Sequence, residues 1–222
     1  MSRKELKSLA KSQIKNDFAM IFLFYIIFGA ISAIVNGMQQ ISIFNLGAIT
    51  SKGNYMYLTT PTVISFCGIS GLSLLLTLFF CSPINYSLSR AYLGLIEGKR
   101  VKFSMFATGY TEAWGKSILL SFLTWIFTIL WSLLFVIPGI IKAYSYRMAF
   151  LILADNPELS ANEALQKSKE MMKGHKLDLF ILDLSFIWWF LLVAITFGVA
   201  SIYVAPYIGA TQANFYESLK ED

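Results

Sequence analysis

Ser117–Ile137 reads SILLSFLTWIFTILWSLLFVI, a run of apolar and hydroxyl residues without a single charge. A bilayer core about 30 Å thick needs roughly 20 such residues in a helix, so this stretch alone predicts a membrane span. Pro138-Gly139 follows at once, and proline lacks the donor that a continuing helix needs. A helix break is therefore expected there. Beyond it Ile140–Ala154 is a second, shorter apolar run that carries Lys142 and Arg147.

Working outward, Phe18–Val35 and Thr62–Ser82 are also long and apolar, and Leu177–Tyr216 has no charge after Asp183. The last of these is too long for one crossing. Thr196-Phe197-Gly198 is the expected turn within it, giving spans near 177–195 and 199–216. The count is six, with spans at 18–35, 62–82, 117–137, 140–154, 177–195 and 199–216. It falls to four or five if the weaker fourth and sixth runs do not cross. The whole chain, 1–222, is read as a single membrane domain.

Composition agrees. Of the 222 residues, 56% are hydrophobic and 14% charged, against about 25% charged in soluble domains, and the mean hydropathy is +0.62. A soluble enzyme, a disordered tail, a disulfide scaffold and a zinc finger are excluded as classes. The N-terminal run is longer than the 7–15 residues of a signal peptide core and lacks a small-x-small cleavage site, so it is read as a retained first span. Cys67 and Cys81 lie 14 residues apart, about 21 Å along a helix, too far to bond. Structural thiols are expected.

The placement of basic residues sets the orientation. Arg3, Lys4, Lys7, Lys11 and Lys15 precede the first span; Arg90, Lys99, Arg100, Lys102 and Lys116 fall between the second and third. Lys167, Lys169, Lys173 and Lys176 fall between the fourth and fifth, and Lys220 follows the sixth. That is 15 of 18 on one side, with Lys52 alone on the other and Lys142 and Arg147 inside span four. Cytoplasmic loops carry the excess of Lys and Arg, so both termini are predicted cytoplasmic and the protein is placed in the cell membrane. The net charge of +5 then serves orientation and anionic headgroups. Nucleic acid is not an expected partner.

Two amphipathic helices are predicted on the cytoplasmic side. Residues 3–15 place Leu6, Leu9, Ala10 and Ile14 on one face. Residues 160–173 open on Ser160-Ala161-Asn162-Glu163, a capping box, and place Ala164, Leu165, Ser168, Met171 and Met172 in a modest apolar stripe that Gly174 ends. Basic interfacial segments before the first, third and fifth spans suggest a threefold repeat of segment plus hairpin.

The stretches Ile137-Pro138-Gly139-Ile140-Ile141-Lys142-Ala143-Tyr144-Ser145-Tyr146 and Ala154-Asp155-Asn156-Pro157-Glu158-Leu159-Ser160-Ala161 are distinctive. So are Lys167-Ser168-Lys169, Met171-Met172-Lys173-Gly174-His175-Lys176 and the ending Pro206-Tyr207, Thr211, Ala213, Phe215-Tyr216-Glu217. With these motifs the chain resembles a bacterial membrane family catalogued as domain of unknown function 975. It is also similar to the membrane domain that accompanies some glycerophosphodiester phosphodiesterases, none of whose catalytic residues carry over. The resemblance implies a multi-pass helical architecture and no defined activity.

Charges inside spans are costly and mark pairs or functional sites. Arg147 lies seven residues before the end of span four and Asp183 seven residues after Lys176, both about 10 Å deep from the same side. An Arg147–Asp183 pair is therefore expected, acting as a packing clamp or as a proton or substrate relay. Lys142 is expected to snorkel. Asn85, Ser89 and Arg90 follow Pro83 at helical spacing and could line a polar crevice. His175 is read as a cation suiting a helix C-terminus. No nucleophile–base set, phosphate-binding glycine loop or metal-ligand spacing occurs, so no catalytic, metal or cofactor residues are assigned. The sequence points to a non-enzymatic scaffold or accessory component of the membrane, contacting anionic lipid or a protein partner. The alternative is a small transporter using Arg147 and Asp183.

Overall fold

A computed structural model of the chain describes residues 2–50, 68–69 and 71–221. Every regular element among them is a helix, and they form two compact units, Met1–Ile26 with Ser82–Asp222, and Ile27–Cys81. Helix α1 (Arg3–Thr50) bends by 92° about Asp17, whose backbone leaves the helical region (φ −117°, ψ 21°). Asn and Asp favour such breaks because their side chains compete for nearby backbone groups. Before the bend Leu6, Ala10 and Ile14 are buried at helical spacing, the stripe the sequence predicts for residues 3–15, while Leu9 stays exposed.

The Ile27–Cys81 unit holds the rest of α1 and helical residues 71–81, which end in a π-helical turn, Thr77–Cys81. There Thr77 Oγ1 donates to the Ser73 carbonyl at 2.9 Å. Cys81 is free and buried; Cys67 and residues 51–61 of the loop expected at 36–61 lie outside the described residues. What is described of that loop corrects the expectation, since α1 stays helical to Thr50. Asn36–Thr50 contains no proline, and its two glycines, Gly37 and Gly47, each cost a helix only about 1 kcal/mol.

The other unit is built from α2 (Ser82–Ile96), α3 (Ser104–Thr111), α4 (Trp114–Leu134), α5 (Val136–Ser145), α6 (Ala149–Asp155), α7 (Ala161–Met171), α8 (Lys176–Leu184), α9 (Ile187–Ile195) and α10 (Ser201–Glu221). Helix α2 is its centre, buried on nearly every face and packed by α3, α4, α6 and α10. Two glycines permit the closest approaches. A Cβ on Gly109 of α3 would sit 1.9 Å from the Pro83 carbonyl oxygen, and one on Gly209 of α10 would sit 2.5 Å from the Tyr92 ring. Tyr92 in turn shares a hydrogen bond of 2.7 Å with the Tyr25 hydroxyl.

Among the described residues three helical segments are long and apolar enough to cross a membrane: Gly71–Ile96, Trp114–Leu134 and Val136–Asp155. The count rises to five if two bent pairs are each one span: Arg3–Lys15 with Asp17–Ala33, and α8 with α9, which bend by 41°. Helix α10, the expected sixth span, does not reach that measure. The hairpin between α4 and α5 breaks at Phe135 (φ −158°, ψ 144°) and not at Pro138-Gly139. Pro138 instead sits in the first turn of α5, where its missing N–H has no helical acceptor to lose. Gly139 then lets α5 close on α4, because a Cβ there would meet Ser132 Oγ at 2.1 Å. The turn expected at Thr196-Phe197-Gly198 is present, with Phe197 (φ 50°) and Gly198 (φ 91°) left-handed.

Candidate functional site

The first cluster is at the break between α5 and α6. A helix end leaves backbone groups without partners, and here both are satisfied from α7. The fully buried Ser168 hydroxyl donates to the Ser145 carbonyl at 2.8 Å and accepts from the Met148 N–H at 3.2 Å. Helix α7 begins as the sequence predicts. Ser160 Oγ accepts from the Glu163 N–H at 3.3 Å, and Glu163 Oε2 accepts from the Ser160 N–H at 2.8 Å. The Ser160 backbone and hydroxyl bonds hold the exposed Glu163 carboxyl below its ordinary value of 4.5. A group with a depressed folded pKa contributes stability above its unfolded pKa and loses it as pH falls through the folded one. The gap in thermal stability between wild type and Glu163→Ala should therefore be full near neutrality and narrow as pH drops below about 4. A gap independent of pH would contradict the capping role.

The second cluster gathers at the C-terminus of α6, where carbonyls attract cations. Arg90 Nη1 donates to the Ala154 carbonyl at 2.7 Å, and Lys116 Nζ donates to the Pro157 carbonyl and, at 3.4 Å, to that of Glu158. Asp155 accepts from the Tyr216 hydroxyl at 2.9 Å and pairs with Lys220 at 3.0 Å; Lys220 also meets Glu217 at 3.2 Å. Burial lowers the Lys220 pKa, but the Asp155 and Glu217 contacts outweigh it and raise the net value. These contacts tie the end of α10 to the Asp155-Asn156-Pro157 turn. Of the residues expected to line a crevice, Arg90 is thus spent on a helix end. Ser89 turns its hydroxyl back to the Asn85 carbonyl at 2.9 Å, and Asn85 is half-buried on the same helix. Arg90 also lines a cavity of about 110 Å³ with Glu97, Lys99 and Met105.

The third cluster surrounds Asp183. Its carboxylate accepts from the Tyr144 hydroxyl and from Gln212 Nε2, each at 3.2 Å. Arg147 is not within ion-pair distance of it. The expected pairing assumed one continuous helix over 140–154, whereas Tyr146-Arg147-Met148 is the turn between α5 and α6 and leaves the Arg147 side chain exposed. Lys142 lies over the Trp131 ring, 4.4 Å from its centre. Nothing in the local sequence foretold the Tyr144 and Gln212 contacts, which join residues 39 and 29 positions from Asp183.

Around the N-terminal arm lie two cavities. One of about 330 Å³ has apolar walls of Ile14, Phe18, Tyr203 and Tyr207 with Lys11 and Lys15 beside them. The other, about 480 Å³, is more polar and includes Arg3, His175, Asp178 and Ser218; His175 Nδ1 is 3.5 Å from Asp178 Oδ2. Between them Lys7 Nζ donates to the Ser185 carbonyl at 3.0 Å and sits 4.0 Å above the Phe186 ring. Phe186 and Trp189 stack edge-on against Tyr207, extending an aromatic ladder to Tyr203 and Phe18. Among the described residues no three His, Cys, Asp or Glu side chains converge as a metal site would require.

No curated protein and no solved structure matches the chain. Ser168, Asp155 and Tyr216, which tie the helix ends together, all lie within residues 133–222, and this segment matches the family described as a protein of unknown function, DUF975, the family the motifs resemble.

Proposed function

We propose that this chain is a non-enzymatic helical scaffold or accessory component of the bacterial cytoplasmic membrane. Both termini and the basic linkers face the cytoplasm, and the interfacial helices at 3–15 and 160–173 meet anionic headgroups or a membrane protein partner. The observation that carries the reading is how the polar side chains at the helix ends are used, both inside and outside the matched segment 133–222. Ser168, Arg90, Lys116 and Lys7 act on backbone carbonyls at helix ends, and Asp155 and Asp183 are engaged by Tyr216, Lys220, Tyr144 and Gln212. Groups committed in this way position helices. A small transporter working through Arg147 and Asp183 is the alternative, and it needs a continuous polar path past both residues; the three cavities described above are lined by others. To test the scaffold role, the full chain is purified in mild detergent and the lipids and proteins retained through two independent columns are identified. A component held at fixed stoichiometry is expected. A bare chain of unchanged thermal stability would contradict it.

A further inference from the structure

We propose that the two apolar hairpins, α4–α5 and α9–α10, enter only one leaflet of the bilayer, so that their turns at Phe135 and Phe197 lie near its middle. This rests on the membrane reading above and concerns how deep the protein goes. The first observation is the company kept by α6. Helix α7 exposes Asn162, Glu163, Gln166, Lys167, Lys169 and Glu170, from its first turn to its last, and such a helix belongs in water or among headgroups, because each charge at the bilayer centre is costly. Yet α7 packs along α6, and its Ser168 bonds both Ser145 and Met148. Residues 145–155 are thereby held level with a water-facing helix. Of the apolar segment Val136–Asp155 only α5, ten residues, remains to enter hydrocarbon. That is about 15 Å, half of a core about 30 Å thick.

The other hairpin gives the same depth from different residues. Lys7 fixes a cation at Ser185 and Phe186, just before α9, and Lys11 and Lys15 stand beside Tyr203 and Tyr207, just after the following turn. Below those cations α9 has nine residues, none of them buried, or about 14 Å. Phe197 at the turn is 97% exposed and Trp188 and Ile195 about three-quarters so, the surface expected of a tip in acyl chains. Asp183 joins the roots of the two hairpins through Tyr144 and Gln212. The one charge below this level in the two hairpins, Lys142, is half-buried with its ammonium 4.4 Å above the centre of the Trp131 ring, a contact that offsets part of the cost of a cation in hydrocarbon. Helix α4 is long enough to cross alone, but Ser117 and Leu120 are buried and Lys116 holds the α6–α7 turn. From 121 to 134 it measures about 21 Å, still short of a crossing.

The test uses the full chain with Cys67→Ser and Cys81→Ser and a single cysteine at Phe135 or Phe197, with Leu133→Cys and Val199→Cys as replacements should either fold poorly. In intact cells an impermeant maleimide applied outside should leave all four unlabelled. A nitroxide attached at Phe135 or Phe197 should report the depth of the bilayer centre. Labelling of the tips from outside, or a nitroxide at the outer headgroups, overturns the proposal and leaves full spans. Should the protein be absent from the membrane fraction altogether, the parent reading fails, an outcome distinct from tips that cross.

Discussion

Replacing Gly109 by alanine should destabilise the protein by about 3 kcal/mol or more, one of the two largest effects expected of a single methyl-scale change. The added Cβ would stand 1.9 Å from the Pro83 carbonyl oxygen and 2.8 Å from Ser87 Oγ. The first of these is backbone, inside a helix that is buried on nearly all sides, so it has nowhere to go. The second is the hydroxyl that accepts from the Gly109 N–H at 2.9 Å and donates to the Phe106 carbonyl at 2.9 Å. Relief of the collision therefore requires α3 to move off α2 and to lose both bonds. Gly115→Ala is the matching control, since a Cβ there meets nothing within 4 Å; it should change stability by no more than about 1 kcal/mol. Thermal unfolding in detergent, read with the gel-filtration profile, checks both. Equal behaviour of the two variants would refute the close approach of α2 and α3.

Ser168→Ala should be the second large effect, from loss of two bonds at once. Without the hydroxyl the Ser145 carbonyl and the Met148 N–H are both left unpaired in a buried position. A buried group without a partner costs about 1–3 kcal/mol, so the two together cost about 2–6 kcal/mol. Ser168→Thr keeps the hydroxyl and should recover part of that loss, limited by room for the extra methyl. Alanine at the exposed neighbour Lys167 should be close to neutral. If Ser168→Ala is as mild as Lys167→Ala, Ser168 does not hold the α5–α6 break.

What the sequence made legible was mainly local. The capping box at Ser160–Glu163, the turn at Thr196-Phe197-Gly198 and the buried stripe through Leu6, Ala10 and Ile14 each depend on residues within a few positions of one another, and each is present. The break near the third apolar run was legible too, but not its position. Proline was read as the breaker, whereas a proline in a first turn costs little, and the chain reverses at Phe135. The Arg147–Asp183 expectation failed to yield an ion pair for a related reason. Spacing along an assumed straight helix ignores a turn at 146–148, and that turn carries Arg147 away. The partners that Asp183, Asp155 and the α5–α6 break do have come from 20 to 65 residues away. No periodicity announces such contacts, because hydroxyl and ammonium groups reaching a carbonyl leave no pattern in the chain.

Sidedness is the most direct check on the whole arrangement. Single cysteines replace Lys99, Glu158, Lys169 and Lys220 in turn, in full-length protein lacking Cys67 and Cys81, and each is exposed to an impermeant maleimide before and after the cell membrane is opened. All four should be labelled only after opening, because the proposed orientation puts every basic linker and the C-terminal end on the cytoplasmic face. Labelling of any one of them in intact cells would contradict it.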